Sequence, residues 1–339
     1  MNSPLLLEVK NLCTYFKLPK THPFAPAQKV FAVDDISFEL PRGKTFGLVG
    51  ESGCGKSTTA LSILRLVEPT SGSVFYNDID VISLSQRDLR RLRRNMQIIF
   101  QDPYSSLNPQ ITAGDIVATP LKIHNIGSAG ERNKRVSELF ARVGLRPEQK
   151  AAFPHQFSGG QRQRISIARA LATQPDLIVC DEPVSALDVA IQAQILNLLI
   201  KLQREFNLTY LFISHDMAVI QHMCDEVAVL YLGKIVEQAD RISLFKHPLH
   251  PYTWALLSAV PSVLKGGERS KKRVHLEGDP PSPIDPPPGC RFAQRCPFAE
   301  AAENCWSETP PLRKIQNGHK VACHRVTEEG VAPQDKLAT

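Results

Sequence analysis

The chain has 339 residues, 42% hydrophobic and 22% charged, which is enough apolar content to bury a full core and excludes a disordered or fibrous chain; one large domain with an appendage is expected. No run approaches the ~18 consecutive apolar residues of a membrane span, and the opening MNSPLLLEVK lacks the basic region and long apolar run of a signal peptide, so a cytoplasmic location is expected. The net charge of +6 includes clusters at Arg90, Arg91, Arg93 and Arg94 and at Lys271, Lys272 and Arg273, but no aromatic residues interleave with them, which argues for solvated faces and linker charge and against a nucleic-acid partner.

Residues Leu5 to Leu40 alternate apolar runs with turns and predict a small antiparallel sheet, interrupted by a surface loop from Pro19 to Pro26. From Thr45 the pattern becomes strand, glycine-rich turn and helix, the helix running through Leu66. A polar, helix-prone segment from about Pro103 to Thr173 predicts an inserted helical subdomain. Apolar runs at Leu177 to Cys180 and Leu208 to Ile213 read as buried parallel strands, and Ile191, Ile195, Leu198, Leu199 and Leu202 between them have helical spacing. Such alternation implies an α/β sheet with crossover helices. After about Tyr252 the composition shifts, and Pro280, Pro281, Pro283, Pro286, Pro287 and Pro288 mark a linker, so the chain is divided into residues 1–252 and an extension, 253–339.

Three motifs carry chemistry. Gly50-Glu51-Ser52-Gly53-Cys54-Gly55-Lys56-Ser57, followed by Thr58, fits G-x-x-x-x-G-K-[ST] between a strand and a helix, the context of a phosphate-binding loop. Glycines permit a tight turn whose amide hydrogens converge on phosphate oxygens; Lys56 is placed for the β- and γ-phosphates and Ser57 for Mg²⁺. Leu177 to Cys180 ends in Asp181 and Glu182: Asp181 is expected to hold the Mg²⁺ hydration shell and Glu182 to orient and deprotonate the attacking water. Ser158-Gly159-Gly160-Gln161, after Phe157, opens a helix and makes a second anion-binding amide array. The economical reading of two cradles in one chain is that each of two domains lends one to a shared nucleotide.

These motifs together resemble those of ABC ATPases, whose signature has the form L-S-G-G-Q; here Phe157 stands in place of the leading Leu. The resemblance implies a P-loop NTPase fold with a RecA-like parallel sheet, an N-terminal antiparallel β subdomain and the inserted helical subdomain. It also implies further roles: Gln101 as the glutamine that senses Mg²⁺ and couples to a permease, Asp188 in Ser185-Ala186-Leu187-Asp188 as a contact to the opposite subunit, His215 as the switch histidine, and Phe16 or Tyr15 as the ring that stacks on adenine.

Phe100-Gln101-Asp102-Pro103-Tyr104, Ser106-Leu107-Asn108-Pro109, Asp181 to Asp188, His247-Pro248-Leu249-His250-Pro251-Tyr252-Thr253 and Pro286-Pro287-Pro288-Gly289-Cys290 are similar to segments of the ATPases of bacterial dipeptide and oligopeptide importers, the second subunit of two-ATPase systems above all. That similarity implies an ATP- and Mg²⁺-dependent importer ATPase, paired with a second ATPase subunit as a heterodimer. It would serve two membrane permease subunits and, indirectly, an extracytoplasmic binding protein, at the cytoplasmic face of the inner membrane. Importers of nickel, glutathione or glycosides have similar ATPases, and a non-transport ABC ATPase is the further alternative.

Of eight cysteines, Cys13, Cys54, Cys180 and Cys224 are scattered, whereas Cys290, Cys296, Cys305 and Cys323 crowd the tail with spacing C-x5-C-x8-C-x17-C. Four thiolates suit a [4Fe–4S] cluster; zinc is the alternative, although close C-x2-C pairs are absent. A short loop-rich segment cannot hold itself by a core, so a metal staple is expected.

Overall fold

The computed structural model describes residues 4–19, 28–259, 278, 281–299, 303–315 and 318–337. Most of the expected Pro19 to Pro26 loop, the cluster Lys271, Lys272 and Arg273, and Pro280 lie outside the described residues. In chain order the strands are β1 (Leu5–Lys17), β2 (Lys29–Pro41), β3 (Thr45–Val49), β4 (Ser71–Tyr76), β5 (Ile79–Asp80), β6 (Met96–Ile99), β7 (Leu177–Asp181), β8 (Thr209–Ser214), β9 (Glu226–Tyr231), β10 (Lys234–Asp240), β11 (Arg313–Lys314) and β12 (Lys320–Val321). The helices are α1 (Lys56–Ile63), α2 (Gln86–Leu92), α3 (Ala113–Ile123), α4 (Ala129–Arg142), α5 (Gly159–Leu171), α6 (Val189–Phe206), α7 (Met217–Met223), α8 (Arg241–Lys246), α9 (Pro251–Ser258) and α10 (Asn304–Ser307). The expected N-terminal sheet is present, four-stranded in the order β2-β1-β4-β5, with β4 antiparallel to β5.

The described residues fall into two compact units. The first comprises those within 1–8, 39–45 and 75–214. Its strands β6, β7 and β8 are parallel neighbours, with Ile99 opposite Cys180 and Cys180 opposite Phe212. Every residue of β7 and β8 is buried, which is why their sequences run apolar without alternation. Helices α3, α4 and α5 occupy the segment expected to be helical. Their starts are written locally: Thr112, Ser128 and Ser158 each cap a helix through the side-chain oxygen, and Ser128 with Glu131 forms a reciprocal capping box. Helix α6 buries Ile195, Leu198, Leu199 and Leu202 as the spacing predicts, and stops at Asn207, which turns left-handed with φ 51°. Ile191, on the same predicted stripe, is only half-buried because it lies over the start of α5 instead.

The second unit comprises the described residues within 9–38, 46–74 and 215–339. Here β3 pairs in parallel with β9, β9 pairs antiparallel with β10, and the tail adds β12 and β11 beyond β10. Helix α1 is shorter than predicted. It ends at Ile63 because Arg65 turns to φ 50° and the Leu66 and Val67 amides both close on Leu61 O. The proline-rich run expected as a linker lies in part along β2: Phe31 N–H donates to Pro283 O and Asp285 N–H to Lys29 O.

A buried carboxylate ties the tail down. Glu237, in the middle of β10 and fully buried, accepts hydrogen bonds from the Leu249 amide at 2.7 Å, the His250 amide at 2.9 Å and His319 Nε2 at 2.7 Å. Deleting one partner of such a set strands the others without water, at a cost of about 3–5 kcal/mol. Beside it, Phe292 of the tail packs within 5.3–5.6 Å of the rings of Tyr231, Tyr252 and His250.

His250 caps α9 by accepting the Tyr252 amide on Nδ1, a role only the unprotonated nitrogen fills. Burial pushes its pKa down to about 4, against the pull of Glu237. The unfolded chain therefore binds a proton from about pH 6.5 downward while the folded chain resists until about 4. Stability should be full above that window and fall by up to roughly 3 kcal/mol as the pH drops through it. Urea titrations from pH 7.5 to 4 should show a flatter dependence in His250→Asn, which keeps a capping oxygen; an identical slope in the variant would remove His250 as the cause.

Candidate functional site

In the second unit, β3 delivers the chain to the phosphate loop at Gly50. Two glycines in this loop are demanded by close backbone approach: a Cβ on Gly50 would meet Leu230 O at 2.2 Å, and one on Gly55 would meet Ala32 O at 2.0 Å. Gly55 also holds φ 105°, a conformation closed to L side chains, while serving as N-cap of α1 without any side-chain cap. Ser57 and Thr58 follow in the first turn of α1, at the helix start where amide hydrogens point outward. Lys56 is buried, and its Nζ donates to Gly50 O at 2.8 Å and Glu51 O at 2.9 Å, so the ammonium lies over the loop it serves. Ser52 and Gly53 are exposed. Cys54 is buried, and burial pushes its thiol up to about 11 despite the nearby Lys56.

Of the two candidate aromatics, Tyr15 is engaged: its hydroxyl donates to Asp34 Oδ1 at 2.6 Å and its ring lies 4.6 Å from that of Phe31. Phe16 is exposed, 42% accessible as a residue. Asp34 also accepts from Lys234 at 3.2 Å and from Arg291; burial opposes its charge, but Tyr15, Arg291 and Lys234 prevail and hold the carboxyl below its usual range. His215 is exposed, just ahead of α7.

The first unit carries the acidic and signature elements. Asp181 ends β7, nearly buried. Glu182 follows at φ 47°, a left-handed conformation that a glutamate adopts only under constraint, held in part by its amide donating to Ile213 O at 3.0 Å. Gln101, two residues beyond the end of β6, donates from Nε2 to Glu182 Oε2 at 3.2 Å, so the two residues share one place although 81 positions separate them. Downstream of Gln101, Arg162 lies over the Tyr104 ring at 3.9 Å, and Arg169 donates to Ser106 O at 2.6 Å, tying this loop to α5.

Ser158 and Gln161 form a capping box at the head of α5: Ser158 Oγ accepts the Gln161 amide and Gln161 Oε1 accepts the Ser158 amide. Between them, Gly160 has no room for a side chain, since a Cβ would meet Ile191 Cγ2 at 2.5 Å; Gly159 faces Leu187. The head of α5 is thereby packed against the segment leading to Asp188, itself exposed at the N-cap of α6 with no side-chain cap bond.

The four tail cysteines do not meet expectation in full. They lie near enough for their charges to bear on one another: burial pushes Cys290 up to about 11 and Cys296 to about 12, with the other thiols adding to each, and Cys305 and Cys323 are raised as well. The donor set is right in number and kind. Among the described residues, however, no group of three or more His, Cys, Asp or Glu side chains is gathered so as to hold a metal ion. Cys290, Cys296 and Cys305 pack in a small cluster with Ala293 and Ala299, while Cys323 packs with Leu249, Val321, Val326 and Ala332.

Sequence reasoning missed the tail's hold on the phosphate loop. Arg295 donates to both oxygens of Glu51, at 2.7 and 3.1 Å, and Tyr252 Oη accepts the Glu51 amide at 2.9 Å. No local pattern announces a pair 244 residues apart.

Comparison with known proteins agrees with this geometry. Residues 33–185 match the ABC transporter family model, and residues 236–305 match the oligopeptide/dipeptide transporter C-terminal region. The chain is 49% identical over 324 residues to the oligopeptide transport ATP-binding protein AppF of Bacillus subtilis (strain 168), covering 95% of this chain and 98% of that protein. It is 52% identical over 293 residues to a putative peptide import ATP-binding protein of Brucella ovis, covering 86% of this chain and 91% of the relative. Among solved structures, the dimeric ATP-binding cassette MJ0796 in a post-hydrolysis state with ADP and Pi matches with TM-score 0.62 and 30% identity, over 70% of this chain and 99% of the cassette. With its phosphate loop, its signature segment and its matched C-terminal region, the chain belongs to the family of ABC transporter ATP-binding proteins, in the branch that carries the oligopeptide/dipeptide transporter tail.

Proposed function

We propose that the protein binds and hydrolyses Mg-ATP to energise a peptide importer. The observation that carries this reading is Glu182, bent to φ 47° at the end of a buried strand and hydrogen-bonded to Gln101. Backbone strain is retained where a side chain must be aimed, and a carboxylate beside a Mg²⁺-sensing amide suits orientation of a hydrolytic water. In the proposed site the loop amides of residues 50–57, Lys56 and Thr58 take the phosphates, while Ser57, Gln101 and Asp181 hold Mg²⁺. Glu182 acts as base, His215 steadies the γ-phosphate, and Phe16 or Tyr15 meets the adenine. Phe16 is the better placed of the two rings, since Tyr15 is already engaged.

Peptide cargo is supported by the names of the relatives and by the matched C-terminal region. The relatives imply work on permease subunits and pairing of two cassettes; we extend this to a heterodimer with a second ATPase subunit on two permeases, fed by an extracytoplasmic binding protein. No helix among the described residues is long and apolar enough to cross a membrane, so attachment at the cytoplasmic face of the inner membrane would be peripheral. In the dimer, Ser158, Gly159, Gly160 and Gln161 would serve the nucleotide of the opposite subunit, with Asp188 at the shared boundary.

We also take Cys290, Cys296, Cys305 and Cys323 as ligands of a structural metal centre, a [4Fe–4S] cluster first and zinc second. The number and kind of the donors, gathered in one loop-rich segment with Cys290, Cys296 and Cys305 in one apolar cluster, support this.

Glu182→Gln should keep ATP binding but slow turnover by ~10²-fold or more, and the ATP-bound dimer should accumulate on gel filtration. Turnover within a few-fold of wild type would sink the assignment. Lys56→Ala should instead weaken nucleotide binding itself, through loss of a charge-assisted phosphate contact. Ser158→Ala should damage hydrolysis in the assembled transporter while the isolated chain binds ATP as before; its lost helix cap lowers stability by about 1 kcal/mol, so melting is recorded alongside. Equal loss of ATP binding by the isolated chain would place both cradles on one nucleotide. Anaerobically purified protein should absorb near ~400 nm and hold about four irons per chain, lost on Cys305→Ser. One zinc per colourless chain would transfer the site to zinc, and metal-free protein with a protease-resistant tail would end the metal proposal.

A further inference from the structure

Glu51 is gripped through three of its groups at once. Its carboxylate receives both Nη atoms of Arg295, at 2.7 and 3.1 Å; its amide donates to Tyr252 Oη at 2.9 Å; its carbonyl accepts Lys56 Nζ at 2.9 Å. Two of these partners come from the far end of the chain. The third is the lysine on which phosphate binding rests under the proposed function, and the role of the grip rests on that same reading.

The clamp is built rather than incidental. Arg295 is buried to 7% side-chain exposure, at the end of a short turn (Ala293–Arg295) that leads into Cys296. Its guanidinium lies 6.0 Å from the Tyr231 ring centroid and donates to Tyr231 Oη at 3.4 Å. Tyr231 and Tyr252 pack edge-on at 4.7 Å, so both hands of the clamp rest on one aromatic base. A two-pronged pair of this kind fixes direction as well as distance, unlike the exposed ion pairs of the helix surfaces. Glu51 meanwhile adds a negative charge to a loop whose proposed ligand is a polyphosphate, and Arg295 is the cation that offsets it.

We propose that Arg295 is a positioning residue for the phosphate loop: acting through Glu51, it fixes the loop backbone and cancels the carboxylate's charge, so that ATP affinity depends on the docked C-terminal tail. Without it, Glu51 would repel the phosphates, and the carbonyl that receives Lys56 would lose its anchor.

The test uses the full chain, with ATP itself as the probe. Arg295→Gln should raise the Kd for Mg-ATP about tenfold while turnover at saturating ATP in the assembled transporter stays within twofold of wild type, since an affinity change of this size is what one to two kcal/mol of lost positioning yields. Part of the loss is Coulombic, so it should shrink at 0.5 M salt. Glu51→Gln breaks the pair from the loop side without touching the tail and should cost about threefold, because it also removes the repulsion. The double variant should bind no more weakly than Arg295→Gln alone, and Arg295→Lys should restore part of the affinity. Should Arg295→Gln fail to fold, Glu51→Gln and Tyr252→Phe carry the measurement. Kd values within twofold of wild type in folded variants with unchanged melting, or strictly additive losses in the double variant, would overturn the proposal. Failure of the wild-type chain to bind ATP would overturn the nucleotide reading instead; binding lost in Lys56→Ala but kept in both pair variants would overturn the positioning role alone.

Discussion

The phosphate loop depends on two places where one backbone lies against another with no side chain between. At Gly50 the neighbour is the Leu230 carbonyl, at the end of β9; at Gly55 it is the Ala32 carbonyl, in β2. The Gly233 amide adds a bond to Cys54 O, and the Asp34 amide a bond to Gly233 O, so loop, hairpin and β2 are joined by backbone alone. A methyl group at either glycine would force these strands apart. The burial of Lys56 and the exposure of Ser52 and Gly53 belong to the loop built on that closeness. Such rigidity is the condition for amide hydrogens to act as a fixed anion cradle, because no reorganisation is then spent on ligand binding.

A comparable constraint shapes the acidic element of the other unit. Burial of β7 on both sides forces Asp181 to the strand's end, where a charge can still be tolerated, and the reversal of backbone at Glu182 swings the next carboxylate toward Gln101. The signature helix is held by the same kind of economy. Ser158 and Gln161 satisfy each other's amides, and Gly160 lets Ile191 come close. Residues named for a role in binding are thus also the residues that cap and seat the helix. Substituting them disturbs both, so activity must be read against stability.

The tail is joined to its unit by chemistry of three kinds. Strand pairing sets β12 on β10, Glu237 receives three donors in the dark of the core, and Phe292 enters an aromatic cluster beside Tyr252. Since that cluster also supports Arg295, the docking of the tail and the shape of the phosphate loop share one foundation.

Much of this was legible in one dimension, and for identifiable reasons. A glycine loop between an apolar strand and a helix, an apolar run ending in Asp181 and Glu182, and a Ser-Gly-Gly-Gln helix start are local devices whose physics acts over a few residues, so the sequence by itself determined the fold class, the phosphate-loop motif, the acidic strand end and the helix start at Ser158. Buried strands announced themselves as unbroken apolar runs. What the tertiary structure alone decided were relations across long separations: the grip of Arg295 and Tyr252 on Glu51, the burial of Glu237 beneath His319, the left-handed turn at Glu182, and the division of the tail cysteines between two apolar clusters. An ion pair or a hydrogen bond leaves no period in the chain, and a thiol's neighbours depend on how distant strands pack. Spacing alone therefore names the groups available and leaves their meeting to the fold.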